Sequence, residues 1–214
     1  MNMNNSKILK QLYDKFFVNE ENQSDKTTIT IYPKNSDGSI NLDTGIKLKN
    51  STDCNSWRLF EAQRDKEYEL GTFNTKYLGL VALYIAVKGK FERIDVNEKT
   101  KEELRSIEGD LKKGQTILQN NLSKRYFSLN KDNEEKEGSI NVYEEGGKYY
   151  IYYLSLMGEK IWITKARPMK SALVVTYNYG SMLEEFDRLI KISLSNLSVS
   201  LEEEEHLKRI YIGK

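Results

Sequence analysis

The chain has 214 residues, 38% hydrophobic and 30% charged, which is enough to bury a core in one large domain or two small ones. Its 33 Lys and Arg nearly cancel its 32 Asp and Glu, so the basic excess that phosphate binding favours is missing. A single cysteine, Cys54, excludes an intrachain disulfide and a cysteine-built metal cluster, and a single histidine, His206, restricts metal and triad chemistry further.

Residues 1–7 lack the apolar core of a signal peptide. The longest apolar run, Leu78 to Val87, is about half the length of a membrane-spanning helix. The expected compartment is a reducing cytoplasm, with no membrane association.

In chain order, Ile8, Leu9, Leu12, Tyr13, Phe16 and Phe17 recur at helical spacing and predict a helix over residues 5–18. Residues 19–26 are polar and read as a loop. Thr27 to Tyr32 alternates Thr and Ile, which predicts a strand burying Ile29 and Ile31. Asn35-Ser36-Asp37-Gly38 is turn chemistry. Ile40, Leu42, Ile46 and Leu48 then continue a short hairpin broken at Asp43-Thr44-Gly45.

Trp57–Glu61 and Tyr68–Phe73 are the next strand pair. Asn74 or Thr75 caps a helix reaching about Lys88, apolar nearly all round, with Gly89 as its stop. Residues 92–137 are charged. Thr100 and Glu103 fit a capping box, and one helix or two span residues 101–129 with a break near Gly109 or Gly114. Residues 130–138 read as a polar linker.

The last third favours strands over residues 139–143, 148–156, 160–164 and 172–177, with Gly146-Gly147 and Met157-Gly158-Glu159 as turns. The run Tyr149 to Leu154 is apolar or aromatic on both faces and predicts a central strand. Helices follow over about 180–192 and 201–210, the second with Glu204–Lys208 and Glu205–Arg209 as favourable pairs.

Together these elements predict an α+β protein, mainly antiparallel sheet with packed helices. Gly38-Ser39-Ile40-Asn41 recurs as Gly138-Ser139-Ile140-Asn141, each copy followed by strands, a tryptophan (Trp57, Trp162) and a helix. That order opens a reading as two related β-then-α modules. The expected organisation is an N-terminal module (1–95), a charged helical connector (96–137) and a C-terminal module (138–214), within one compact domain or two.

No constellation for catalysis stands out. His206 lies among acids and reads as a surface histidine, because nothing near it resembles a nucleophile turn. Asp37, Asp43 and Asp53 match no calcium-loop spacing, and neither glycine-rich phosphate motif is present. No cofactor and no metal are expected. Glu202 to Glu205 read as a solvated helix start. Lys112-Lys113 and Lys124-Arg125-Tyr126-Phe127 are small basic patches, read as solvent-facing helix positions.

The feature with functional promise is the group Tyr149, Tyr150, Tyr152, Tyr153 and Trp162. Such rings supply rigid contact area with a polar tip. The competing reading is a sheet packed under helices.

Trp57-Arg58-Leu59-Phe60-Glu61, then Glu69-Leu70-Gly71-Thr72-Phe73-Asn74-Thr75, then the helix Leu78 to Lys88, resemble small bacterial immunity proteins that neutralise partner toxins. The resemblance covers about residues 57–90. It implies a cytoplasmic protein without catalytic residues whose partner is a cognate toxin, a protein rather than a nucleic acid. The near-neutral charge differs from the strongly acidic members of that class and points away from a nuclease toxin. Two alternatives remain open: a carboxylate-dependent hydrolase and a nucleic-acid-associated regulatory protein.

Overall fold

The computed structural model describes residues 3–23, 26–51, 56–92, 94–129, 134–193 and 199–214. Cys54 and Asp53, and the start of the predicted linker at 130–133, lie outside them. The chain divides into two compact units, Met1–Arg93 and Ile94–Lys214. The architecture is α+β, with a β-meander followed by a helix in each unit.

In the first unit, α1 (Met3–Tyr13) precedes β1 (Phe17–Gln23), β2 (Lys26–Tyr32), β3 (Thr44–Ser51), β4 (Ser56–Gln63), β5 (Lys66–Phe73) and α2 (Lys76–Phe91). The five strands pair antiparallel in sequence order. Ile29, Ile31, Ile46, Leu48 and Leu59 are almost fully buried, and α2 packs on β3, β4 and β5. Thr75 caps α2, its hydroxyl accepting the Leu78 N–H at 3.1 Å. Every residue of α2 from Leu78 to Val87 is buried, as its unbroken apolar run predicts.

Three expectations change here. The first helix ends at Tyr13, and residues 17–23 form β1 where a helix end and a loop were expected. β1 is an end strand with mostly polar, exposed side chains, and its register (Phe17↔Tyr32 to Gln23↔Lys26) rests on backbone pairing that leaves no apolar alternation to read. β3 runs through Thr44 and Gly45, while Ile40 and Leu42 are exposed. α2 continues past Gly89 to Phe91.

In the second unit, α3 (Glu98–Arg105) and α4 (Leu111–Asn121) lead through a 3-10 turn over Lys124–Tyr126 into β6 (Phe127–Leu129). β7 (Ser139–Glu145), β8 (Lys148–Leu154), β9 (Lys160–Arg167), α5 (Met169–Ser193) and α6 (Leu201–Ile212) follow. The sheet order is β6-β7-β8-β9, with β6 parallel to β7 and the rest antiparallel. α5 packs on β7 and β8, and α3, α4 and α6 pack on α5. Residues 98–129 therefore belong to this unit's fold.

The N-cap of α3 is Asn97. Thr100 sits inside the helix, buried, with its hydroxyl donating to Asn121 Oδ1 at 3.0 Å. The chain breaks after α3, with Gly109 in that break, and Asp110 caps α4. Gly114 lies within α4. A Cβ there would stand 2.6 Å from Leu173 Cδ1, and one at Gly180 would overlap Leu122, so α4 and α5 approach through their two glycines.

Residues 172–177, expected as a strand, are helical. Ala172, Leu173, Thr176, Tyr177, Gly180, Leu183 and Phe186 are all buried, a spacing that follows one helix face. Packing on the sheet overrides the strand preference of Val174-Val175-Thr176. α6 starts with a capping box between Ser200 and Glu203. Of its expected pairs, Glu204–Lys208 forms at 3.8 Å, whereas Glu205 pairs with Lys208 at 3.1 Å rather than with Arg209, which pairs with Glu159.

The repeated tetrapeptide does not mark equivalent positions. Ile40 lies in an exposed loop, where Lys34 and Ile40 form an isolated bridge, whereas Ile140 is buried in β7. Trp57 lies on interior strand β4 and is buried. Trp162 lies on end strand β9 and is half exposed. What the two units share is the order of meander then helix.

Candidate functional site: an aromatic face on the second sheet

β7 and β8 are joined through Gly146-Gly147, both at positive φ (59° and 73°). A two-residue turn of this kind needs such backbone at both positions and fixes the register beyond it. Glu145 then faces Lys148 and Tyr143 faces Tyr150. On β9, Trp162 faces Tyr152. Alternation along the strands puts Tyr143, Tyr150, Tyr152 and Trp162 on one face and Ile151 and Tyr153 on the other.

The four rings pack together. Tyr143 and Tyr150 are stacked, with centroids 5.0 Å apart and planes 14° apart. Trp162 stands steeply to both, at 61° and 74°, and lies 5.4 Å from Tyr152. Tyr152 is the buried base of the group. Its hydroxyl donates to Glu135 Oε1 at 2.8 Å, Lys160 lies 5.2 Å from its ring centre, and Lys160 also pairs with Glu135. Trp162 is 51% exposed. Tyr143, Tyr150, Trp162, Ile163, Thr164 and Lys165 line a shallow concavity of about 490 Å³.

Part of this face is covered. Asn141 is buried and clamps residue 136: its Oδ1 accepts the Lys136 N–H and its Nδ2 donates to the Lys136 carbonyl, each at 2.8 Å. Ser139 also donates to that carbonyl at 2.8 Å. These bonds hold the segment around Lys136 over the Ser139 and Asn141 end of the sheet. The Tyr143, Tyr150 and Trp162 end stays open.

Of the five predicted rings, the fold thus brings Tyr150, Tyr152 and Trp162 together. Tyr149 is half-buried and donates to Glu144 at 3.1 Å. Burial and that carboxylate push its phenol above the usual range. Tyr153 is fully buried on the helix-covered face, donating to Glu205 Oε1 and Oε2 at 2.9 and 2.8 Å. Burial first, then Glu205, drive its phenol far above the ordinary value. Lys208 closes this buried group, 3.1 Å from Glu205 and 5.5 Å from the Phe186 ring centre.

Glu205 and Lys208 are therefore core residues, not a solvated helix start. His206, expected at the surface, is half-buried. Tyr143, Thr164 and Lys165 did not figure among the predicted site residues. Tyr143 was within reach, because a Gly-Gly turn places it opposite Tyr150.

The outer face of the first sheet differs. Lys47 and Lys49 both reach Glu67, at 2.7 and 2.6 Å, and Arg58 pairs with Glu69. Lys49 and Arg58 flank the Phe60 ring at 5.0 and 5.1 Å. Across β3, β4 and β5 these charges pair with one another. A smaller concavity of about 270 Å³ in this unit has Asp14, Lys15, Tyr84 and Lys88 in its lining, and both lysines are engaged by Glu92.

Acid–base hydrolysis needs two carboxyl groups facing one cavity. The ring-lined concavity has no carboxylate in its lining, and no group of three or more His, Cys, Asp or Glu among the described residues is placed to hold a metal ion. In the basic patch, Tyr126 and Phe127 are buried and cannot stack on bases, and Arg125 pairs with Asp187 at 3.0 Å. Among the described residues no helix is long and apolar enough to cross a membrane. No family model, no curated protein and no solved structure matches the chain.

Proposed function

We propose that this chain acts by binding a protein partner, and that the open aromatic face formed by Tyr143, Tyr150 and Trp162 is its contact surface. The observation that carries the reading is Trp162. A large apolar ring 51% exposed on an end strand, seated on a buried tyrosine, has the make-up of an interface anchor. The first sheet supplies the contrast, since β3, β4 and β5 carry paired charges on its outer face where the second sheet carries open rings.

The narrower form of the proposal is an immunity protein that occludes a cognate toxin in a bacterial cytoplasm. It is supported by the resemblance of residues 57–90. Action is steric: the rings bury against the partner, and Lys165 and Glu145 at the rim select its charge.

The test is co-expression with the product of each neighbouring gene, followed by affinity capture. The expected result is one stable pair whose affinity falls at least tenfold, about 1.4 kcal/mol, in a Tyr150→Ala, Trp162→Ala double variant. Capture that survives ring removal unchanged sinks the surface. Absence of any neighbouring partner sinks the toxin reading.

A further inference from the structure

Building on the contact surface proposed above, we infer that the part of the partner seated there is an extended, proline-containing segment in polyproline II conformation, with an acidic residue beside Lys165. Three features of the concavity lead to this.

The first is shape. Tyr143 and Tyr150, stacked at 14°, form one wall, and Trp162 rises from it at 61° and 74°. The result is an aromatic corner open to solvent. A proline ring fits such a corner, and a polyproline II chain is already extended, so it loses little conformational freedom on docking.

The second is hydrogen-bonding polarity. The Tyr143 and Tyr150 hydroxyls and the Trp162 indole N–H have no partner among the described residues. The Thr164 hydroxyl donates to the Lys165 carbonyl at 2.9 Å, which leaves its oxygen able to accept. The Trp162 N–H and the Lys165 ammonium only donate, the two phenols can donate or accept, and no carboxylate or side-chain amide lines the surface. Polyproline II backbone has unused carbonyl acceptors, and proline adds no N–H that would need an acceptor in return.

The third is charge. Lys165 is exposed at the rim with no carboxylate partner among the described residues. Lys160 is already paired with Glu135, and Glu145 sits close enough to Tyr143 to push its phenol up, after burial. Lys165 on β9 and Glu145 beside Tyr143 on β7 are both without an ion pair among the described residues, so the Lys165 end suits a single carboxylate and the Glu145 end repels one. A single cation does not suit the run of phosphates in a nucleic acid.

The experiment titrates the ¹⁵N-labelled full chain with four probes: a short proline-rich peptide carrying one aspartate, the same peptide with lysine for aspartate, cellohexaose, and an oligothymidylate. The expected result is a saturable shift of the Trp162 indole N–H with the first peptide and at least about threefold weaker binding of the second. Trp162→Ala weakens the first peptide at least about tenfold. Trp162→Phe, which keeps a ring and drops the N–H, falls between. Lys165→Ala removes the preference between the two peptides. Circular dichroism melts confirm that the variants are folded.

No response to the aspartate peptide at millimolar concentration overturns the inference. So does an equal or stronger response to the sugar or the oligonucleotide. If the peptide fails while partner capture still depends on Tyr150 and Trp162, the segment class falls and the contact surface stands. If capture does not depend on them, the surface itself falls.

Discussion

Tyr153 and Glu205 lie at the bottom of the second unit's core, where a phenol spans both oxygens of a buried carboxylate. Replacing Tyr153 with Phe leaves Glu205 with Lys208 alone, and a buried charge short of one donor costs about 2 kcal/mol. Urea unfolding of Tyr153→Phe is expected to show that loss. Trp162→Ala, at an exposed position, is expected to stay within about 0.5 kcal/mol of the parent. Gly180→Ala is the opposite case. Its new Cβ would overlap the Leu122 Cδ2 methyl, and displacing that buried side chain costs about 1–3 kcal/mol, readable in the same experiment. At this scale the ring cluster was partly legible. Composition pointed to the Tyr149–Tyr153 strand and Trp162, but which rings share a face depends on strand register. The Gly146-Gly147 turn encodes that register only once both strands are placed. The buried Glu205 and Lys208 were not legible, because in the string Glu202 to Glu205 a core acid looks like its solvated neighbours.

Among the elements, α2 was legible in its apolar run and in its start, where Thr75 is the cap of the two candidates Asn74 and Thr75, but not in its end, which passes Gly89 to Phe91. Thr75→Ala removes the acceptor for the Leu78 N–H and is expected to cost about 1 kcal/mol in thermal or chemical unfolding, with Thr75→Ser restoring most of it. Two elements were misread for opposite reasons. The start of α5 has a strand-like composition and becomes helix because its buried positions repeat at helical spacing under the sheet. Thr176 marks the adjustment, its hydroxyl turning back to the Ala172 carbonyl at 2.9 Å. β1 has the composition of a loop and becomes strand because β2 offers it a backbone partner. In both, a partner outside the segment, the sheet under α5 and the neighbouring strand beside β1, decided what local preference left open.

For the whole molecule, charge is the variable that reaches every part. Hydrogen bonds from Lys47, then Lys49, hold the Glu67 carboxyl below its ordinary 4.5. Burial alone would raise Glu92, and its bonds from Lys88 and Lys15 outweigh that and lower it. A depressed folded-state value contributes stability that is fully present above the unfolded value and disappears as pH falls through the folded one. Thermal midpoints are therefore expected to hold from neutral pH down to about 5 and to fall below it. In a Lys47→Ala, Lys49→Ala variant the deficit against the parent should shrink as the solution is acidified. A deficit independent of pH would mean that the pairs add nothing, as many exposed ion pairs do.

The placement of the two tryptophans makes the molecule its own spectrometer. Trp57 is 8% exposed in the first unit and Trp162 is 51% exposed in the second. Acrylamide should therefore quench the red-shifted emission of Trp162 and spare the blue-shifted emission of Trp57. Each half of the chain thus carries its own optical label, and a denaturation recorded at two wavelengths tells whether the halves come apart together or in turn.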